Sequence, residues 1–201
     1  MLPLSFFHNR TFTAASLVGL LINLAFYGLI FVLSLYFQQI KKFTPLITGL
    51  AFMPMTVIVV AANIVAGQVS ARLGARLPMI LGQAIFAVGC LLLVAIGAYT
   101  PYGGWWWQTV MIGAGIGLTV PPMTSALLAT VDRKRSGVAS RVLNTARQLD
   151  SVIGVALFGS LIANRGQFAP SLHLALYISV AVLLIGAISA FIGVCAEPSR
   201  R

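Results

Sequence analysis

Within RVLNTARQLDSVIG, residues 141–154, the sequence gathers two arginines, an asparagine, a glutamine and an aspartate. Placed on a helix, Ser140, Asn144, Arg147, Gln148 and Ser151 recur at three- and four-residue spacing and form one polar stripe. Leu143, Ala146, Leu149, Val152 and Ile153 take most of the remaining surface. Arg147 and Asp150, three apart, share a helix turn, and two chemistries are open to them. They can neutralise each other and lock the helix into a bundle. Alternatively the stripe lines a polar cavity, with Asp150 as a proton-binding site and Arg147 tuning it or meeting an anion.

The surroundings make this cluster unusual. Of 201 residues, 59% are hydrophobic and 8% charged, and the mean hydropathy is +0.99. A soluble domain carries about 25% charged residues, whereas long apolar runs with few charges read as membrane spans. The net charge of +10 does not indicate nucleic acid, because the thirteen basic residues are scattered between apolar runs rather than gathered on one face. Cys90 and Cys195 sit inside apolar runs without metal-ligand spacing, which suits small core hydrophobes. His8 and His173 fall at span ends without partners at ligand or triad spacing. Neither HExxH, GxSxG nor a pair of acids occurs, so the sequence does not indicate an enzyme, a cofactor or a metal.

Six apolar runs, roughly 13–37, 47–70, 77–99, 105–130, 137–163 and 172–195, are each long enough to cross roughly 30 Å of hydrocarbon as a helix. The N-terminus MLPLSFFHNR lacks the pattern of a signal peptide, so the first helix is expected to direct insertion. Short connections make consecutive helices antiparallel. With the N-terminus inside, the cytoplasmic side receives Arg10, Arg72, Arg76, Arg133, Lys134, Arg135, Arg200 and Arg201, against Lys41, Lys42 and Arg165 outside. That asymmetry places both termini in the cytoplasm. Trp105, Trp106 and Trp107 are then expected as an outer interfacial anchor.

On this placement Arg147 and Asp150 lie about 15–20 Å into the membrane, at 1.5 Å per residue. Each charge at a helix centre costs about 2.5–3.5 kcal/mol, so the stripe must face other helices or water. Asn23 and Tyr27, four apart on the first helix, share a face and either contact substrate or bond across a helix interface. In GAGIGLTVPP, 113–122, Gly113 and Gly117 offer a small-residue packing face, while Pro121 and Pro122 remove backbone donors and are expected to bend the helix. TGLA (48–51) and SGVA (136–139) open the second and fifth spans and suggest a 3+3 inverted repeat. The third and sixth spans have the fewest interior polar groups, chiefly Gln83 and a few serines, and are expected to face lipid.

The runs NRTFTAASLVGLLINLAFYGLIFVLSLYFQQ, TPLITGLAFMP, GIGLTVPPMTSALLATV and SGVASRVLNTARQLDSVIGVALFG closely resemble one transporter family. They are similar to the C-terminal half of the fourteen-helix drug:proton antiporter branch of the major facilitator superfamily. The likeness is close over about 9–165 and looser in the last helix. It implies an all-α membrane protein, with 1–201 forming one six-helix half of that fold in a bacterial inner (plasma) membrane. It further implies multidrug efflux of lipophilic, often cationic compounds, with the proton gradient as energy source. In the family the first, second, fourth and fifth helices of each half wall the central cavity. Asn144, Arg147, Gln148, Asp150, Asn23 and Tyr27 are the substrate or proton pathway candidates, although Asp150 stands where the family pattern usually has glycine. The segment GQVSARLGAR, 67–76, resembles the superfamily's cytoplasmic loop: Gly67, Arg72, Gly74 and Arg76 match, but Ala71 replaces the acid. A half alone lacks the facing wall, so the resemblance calls for a second half or a homodimer; an inactive fragment or a non-transporting interaction subunit is the other reading.

Overall fold

The structure, a computed structural model, describes residues 9–95, 102–131, 136–163 and 168–194. Six helices are long and apolar enough to cross a membrane. The first, α1 (Arg10–Leu35), starts where the Asn9 side chain accepts from the amides of Thr11 at 2.9 Å and Phe12 at 3.3 Å, satisfying donors that helix geometry leaves free. A π-helical turn, Tyr36–Ile40, carries it onward.

The second span differs from the single run expected over 47–70. It consists of α2 (Pro45–Ala51) and α3 (Met53–Leu73), hinged at Phe52. Pro54 has no amide to give Leu50 and its ring opposes a continuous first turn, so the ladder restarts there. α3 ends at Gly74, the one described glycine with positive φ, at 79°. Next come α4 (Arg76–Val94), a 3-10 turn at Tyr102–Gly104, α5 (Trp106–Ala129), α6 (Ser136–Ala163) and α7 (Phe168–Gly193). α5 runs unbroken through Pro121 and Pro122. The final helix begins four residues before 172, whereas residues 96–99, expected in the third span, lie outside the described residues, as do His8 and Cys195.

Packing has the pattern of two interlocked triplets. α1 packs on α6 and α7; in the same way α5 packs on α3 and α4; α4 meets α7 and α1 meets α5 at the centre. Exchanging the triplet α1, α2–α3, α4 for α5, α6, α7 reproduces the same set of neighbours, which is the inverted repeat that two short motifs only suggested. Small residues make the closest crossings. A Cβ at Gly117 would lie 2.7 Å from the Ala62 Cβ, and one at Gly113 2.6 Å from the Met55 carbonyl oxygen, so both seat α3 against α5. At the matching crossing, a Cβ on Gly154 of α6 would lie 2.6 Å from the Leu24 carbonyl oxygen of α1.

Two expectations need correction. Trp105 is no interfacial anchor: it is 1% exposed and stacks on Phe37 with centroids 4.9 Å apart, within a cluster that also holds Tyr36 and Phe168. α5 begins one residue later, so Trp106 and Trp107 point outward while Trp105 folds back over the end of α1. Gln83 is also fully buried, bonding the Met79 carbonyl one turn back at 3.3 Å and lying against Gly186 of α7. The outer faces of α4 and α7 nevertheless carry Leu81, Val88, Leu91, Ile185, Ile188 and Ile192. The least covered spans are α2–α3 and α6.

Candidate functional site

The site begins with how α6 sits on α1. Leu143, Arg147, Asp150, Gly154 and Phe158 follow each other at four, three, four and four residues and form its inner face. Gly154 brings the two backbones together, and Phe158 fills the space over Gly28. Arg147 and Asp150 therefore sit at a helix crossing. Asp150 is 7% exposed. Gln148 stands about 100° round the helix from Arg147, and with Asn144 it is exposed.

The expected stripe is thus divided. Arg147 and Asp150 turn inward, whereas Asn144 and Gln148 lie on the uncovered side beside Leu149, Val152 and Ile153. The close Arg147–Asp150 ion pair is not formed among the described residues. The longer side chain reaches past α1 instead, and Arg147 Nη2 donates to Thr124 Oγ1 of α5. Thr124 Oγ1 donates its hydrogen bond to the Val120 carbonyl oxygen at 2.8 Å, so the hydroxyl is oriented to accept from Arg147. α5 and α6 otherwise touch little. Arg147 Nε is buried and has no acceptor among the described residues.

Thr124 is the residue that sequence reasoning missed. Its only signal was a hydroxyl two residues beyond the proline pair of α5. Pro121 and Pro122 leave the Gly117 and Leu118 carbonyls without their usual donors, in the half of the helix that Arg147 approaches.

From α1 come Asn23 and Tyr27, which differ in burial although they share a face. Asn23 is 4% exposed and its amide nitrogen, buried, has no acceptor among the described residues. Tyr27 lies at the edge of the crossing, 41% exposed, and within electrostatic reach of Arg147, as is Asp150. α1 leaves one stripe uncovered: Thr13, Leu17, Leu20 and Tyr27, at helical spacing. Tyr27 ends this mostly apolar stripe within electrostatic reach of Arg147.

Among the described residues, the loop residues do not assemble into one charge cluster. Gly67 has open space around it, Arg72 is exposed on the last turn of α3, Gly74 makes the turn, and Arg76 lies 4.1 Å from the Phe191 ring centroid of α7. The structural role of Gly113 and Gly117 is the α3 seat described above.

The sequence matches the Major Facilitator Superfamily over residues 2–155. It is 33% identical to a methylenomycin A resistance protein of Streptomyces coelicolor, an alignment that covers all of this chain and 42% of that relative. It is 27% identical to the multidrug resistance protein Stp of Mycobacterium tuberculosis, over 81% of this chain and 30% of that protein. This chain thus spans less than half the length of these curated relatives. Among solved structures, a bacterial homologue of the human drug peptide transporters superposes with a TM-score of 0.77 at 19% identity, covering 96% of this chain and 45% of the other. The fold is accordingly one half of a transporter fold, with six membrane-spanning helices in a 3+3 inverted repeat. This chain is a multi-pass membrane protein belonging to the Major Facilitator Superfamily.

Proposed function

We propose that the chain is the C-terminal half of a proton-coupled multidrug efflux transporter of the fourteen-helix branch, working against a second half that closes the cavity. Its termini lie on the cytoplasmic side of a bacterial inner membrane, and the proton gradient supplies the energy. The observation that carries this reading is the uncovered polar side of α6. Asn144 and Gln148, flanking the inward Arg147, have no covering helix, and amide groups of this kind do not rest in hydrocarbon without partners. α2–α3, related to α6 by the repeat, is uncovered as well. α6 packs beside the apolar stripe of α1 and α3 packs on α5, so the two uncovered spans stand at either side of the central α1–α5 pair, which gives one wall of a path for lipophilic molecules. Relatives named for drug resistance support the substrate class in its coarse form.

On this reading α6 carries both the amides that solvate a passing molecule and the buried carboxyl of Asp150 that takes a proton. The test is energised dye efflux from cells with the chain alone, with an amino-terminal half alone, and with both. Efflux is expected only with both. Asp150→Asn should lower this rescued efflux at least about a hundredfold, the low end for loss of a proton-transfer group, and Arg147→Ala should lower it as well. Rescued efflux that survives both substitutions makes the α6 cluster a structural fastening and removes it from the pathway. A chain that never restores efflux with any second half is a non-transporting membrane subunit or an inactive fragment.

A further inference from the structure

We propose that Arg147 is a receptor for the anionic group of an amphiphilic substrate, a lipophilic molecule with one carboxylate or an equivalent single negative charge. The inference rests on reading this face as part of a substrate path, and it reverses the charge that the family resemblance implies. Arg147 Nε on α6 and Asn23 Nδ2 on α1 are both buried donors without acceptors among the described residues. An ammonium group brings only further donors, whereas a carboxylate supplies about four acceptor positions and matches the planar guanidinium fork.

The guanidinium is also held ready. Thr124 takes Nη2 from the α5 side, and Tyr27 stands close on the exposed side with a phenol that can donate as well. Asp150 is within electrostatic reach and offsets part of this charge, but no ion pair joins the two among the described residues and the guanidinium donates to Thr124 instead. Arg141, the remaining described charge on α6, lies six residues towards the helix start, about 9 Å along the axis, and adds positive charge. Leu17 and Leu20, each 40% exposed on the α1 stripe, provide apolar surface for the body of the ligand.

The experiment uses the full chain in lipid nanodiscs and three fluorescent probes that share one body: pyrenebutyrate, its methyl ester and the corresponding butylammonium. Signal from empty nanodiscs is subtracted. The carboxylate is expected to bind saturably at least tenfold more tightly than either of the others. Arg147→Gln should bring it down to the level of the ester and leave the ester unchanged, with Arg147→Lys intermediate. Thr124→Val, which frees the guanidinium while keeping its charge, should weaken the carboxylate several-fold. Helicity and melting temperature are measured for every variant, and if Arg147→Gln does not fold, Arg147→Lys and Thr124→Val decide. Tightest binding of the ammonium, an unchanged carboxylate preference in the decisive variants, or saturable binding of none of the probes overturns the proposal. The two readings fail separately. Carboxylate binding without rescued efflux removes transport and keeps the site, and rescued efflux without charge preference removes the site and keeps transport.

Discussion

At the scale of single residues, the bond from Arg147 to Thr124 is the most consequential contact. It ties α6 to α5, two helices with little other contact. A hydrogen bond to a charged group contributes about 1.5–3 kcal/mol, and here both partners are part-buried. Thr124→Val keeps the shape and removes the acceptor, so the melting temperature of the purified chain should fall by several degrees. Thr124→Ser keeps the hydroxyl and should restore it. In a double-mutant cycle with Arg147→Gln, the two losses should overlap by at least about 1 kcal/mol, as expected for directly bonded partners. Additive losses would mean that the two side chains act independently, and the anchoring of Arg147 would have to come from elsewhere.

At the scale of the elements, glycine substitution separates the crossings from the surface. Gly117→Ala places a methyl 2.7 Å from the Ala62 Cβ and 2.8 Å from the Val59 carbonyl oxygen, and backbone atoms there cannot yield. A cost of about 1–3 kcal/mol is expected from overpacking. Gly67→Ala, on the same α3 that Gly117 seats, meets nothing within 4 Å and should raise stability by about 0.4–1 kcal/mol through a stiffer unfolded chain. Gly74→Ala should cost about 1–3 kcal/mol, because φ 79° with ψ 169° is open to glycine and strained for any side chain. Thermal melts of the three variants in one detergent check the order. These same elements mark how far sequence carries. Hydropathy located all six spans, since twenty-odd apolar residues leave few other folds. It gave their ends less well: Asn9 as an N-cap and the hinge at Phe52 depend on local hydrogen bonding that an average over a window removes. Arg147 and Asp150 stand out in the sequence as costly charges in an apolar setting. The sequence leaves open whether they pair, because spacing along one helix does not tell where a long side chain reaches, and Thr124 sits on a different helix. Trp105 was misread for a similar reason: composition put three tryptophans at one depth, and a one-residue shift in the start of α5 turned the first of them inward.

At the scale of the whole molecule, the uncovered surface has two kinds of face, and they call for different neighbours. The outer sides of α4 and α7 expose Val88, Leu91, Ile185 and Ile188, which suits acyl chains. α6 instead combines exposed Asn144 and Gln148 with Leu149, Val152 and Ile153. A lipid contact would leave both amides without partners, at a cost of several kcal/mol each in hydrocarbon. A protein partner with a wet seam satisfies both halves of that surface. Single cysteines introduced after replacement of Cys90 and Cys195 can separate these environments. Gln148→Cys should react readily with a membrane-impermeant maleimide, and Val88→Cys and Ile188→Cys should react only with a reagent dissolved in the bilayer. When an amino-terminal half is present, Ile153→Cys on α6 and Ile64→Cys on α3, both more than half exposed in the chain by itself, should lose reactivity together, because the repeat sets them on the two helices that flank the open wall. Protection of one without the other would mean that the second half does not bridge α3 and α6. Labelling of Gln148→Cys from the lipid phase alone would place that side of α6 in the bilayer, where it could not line a path.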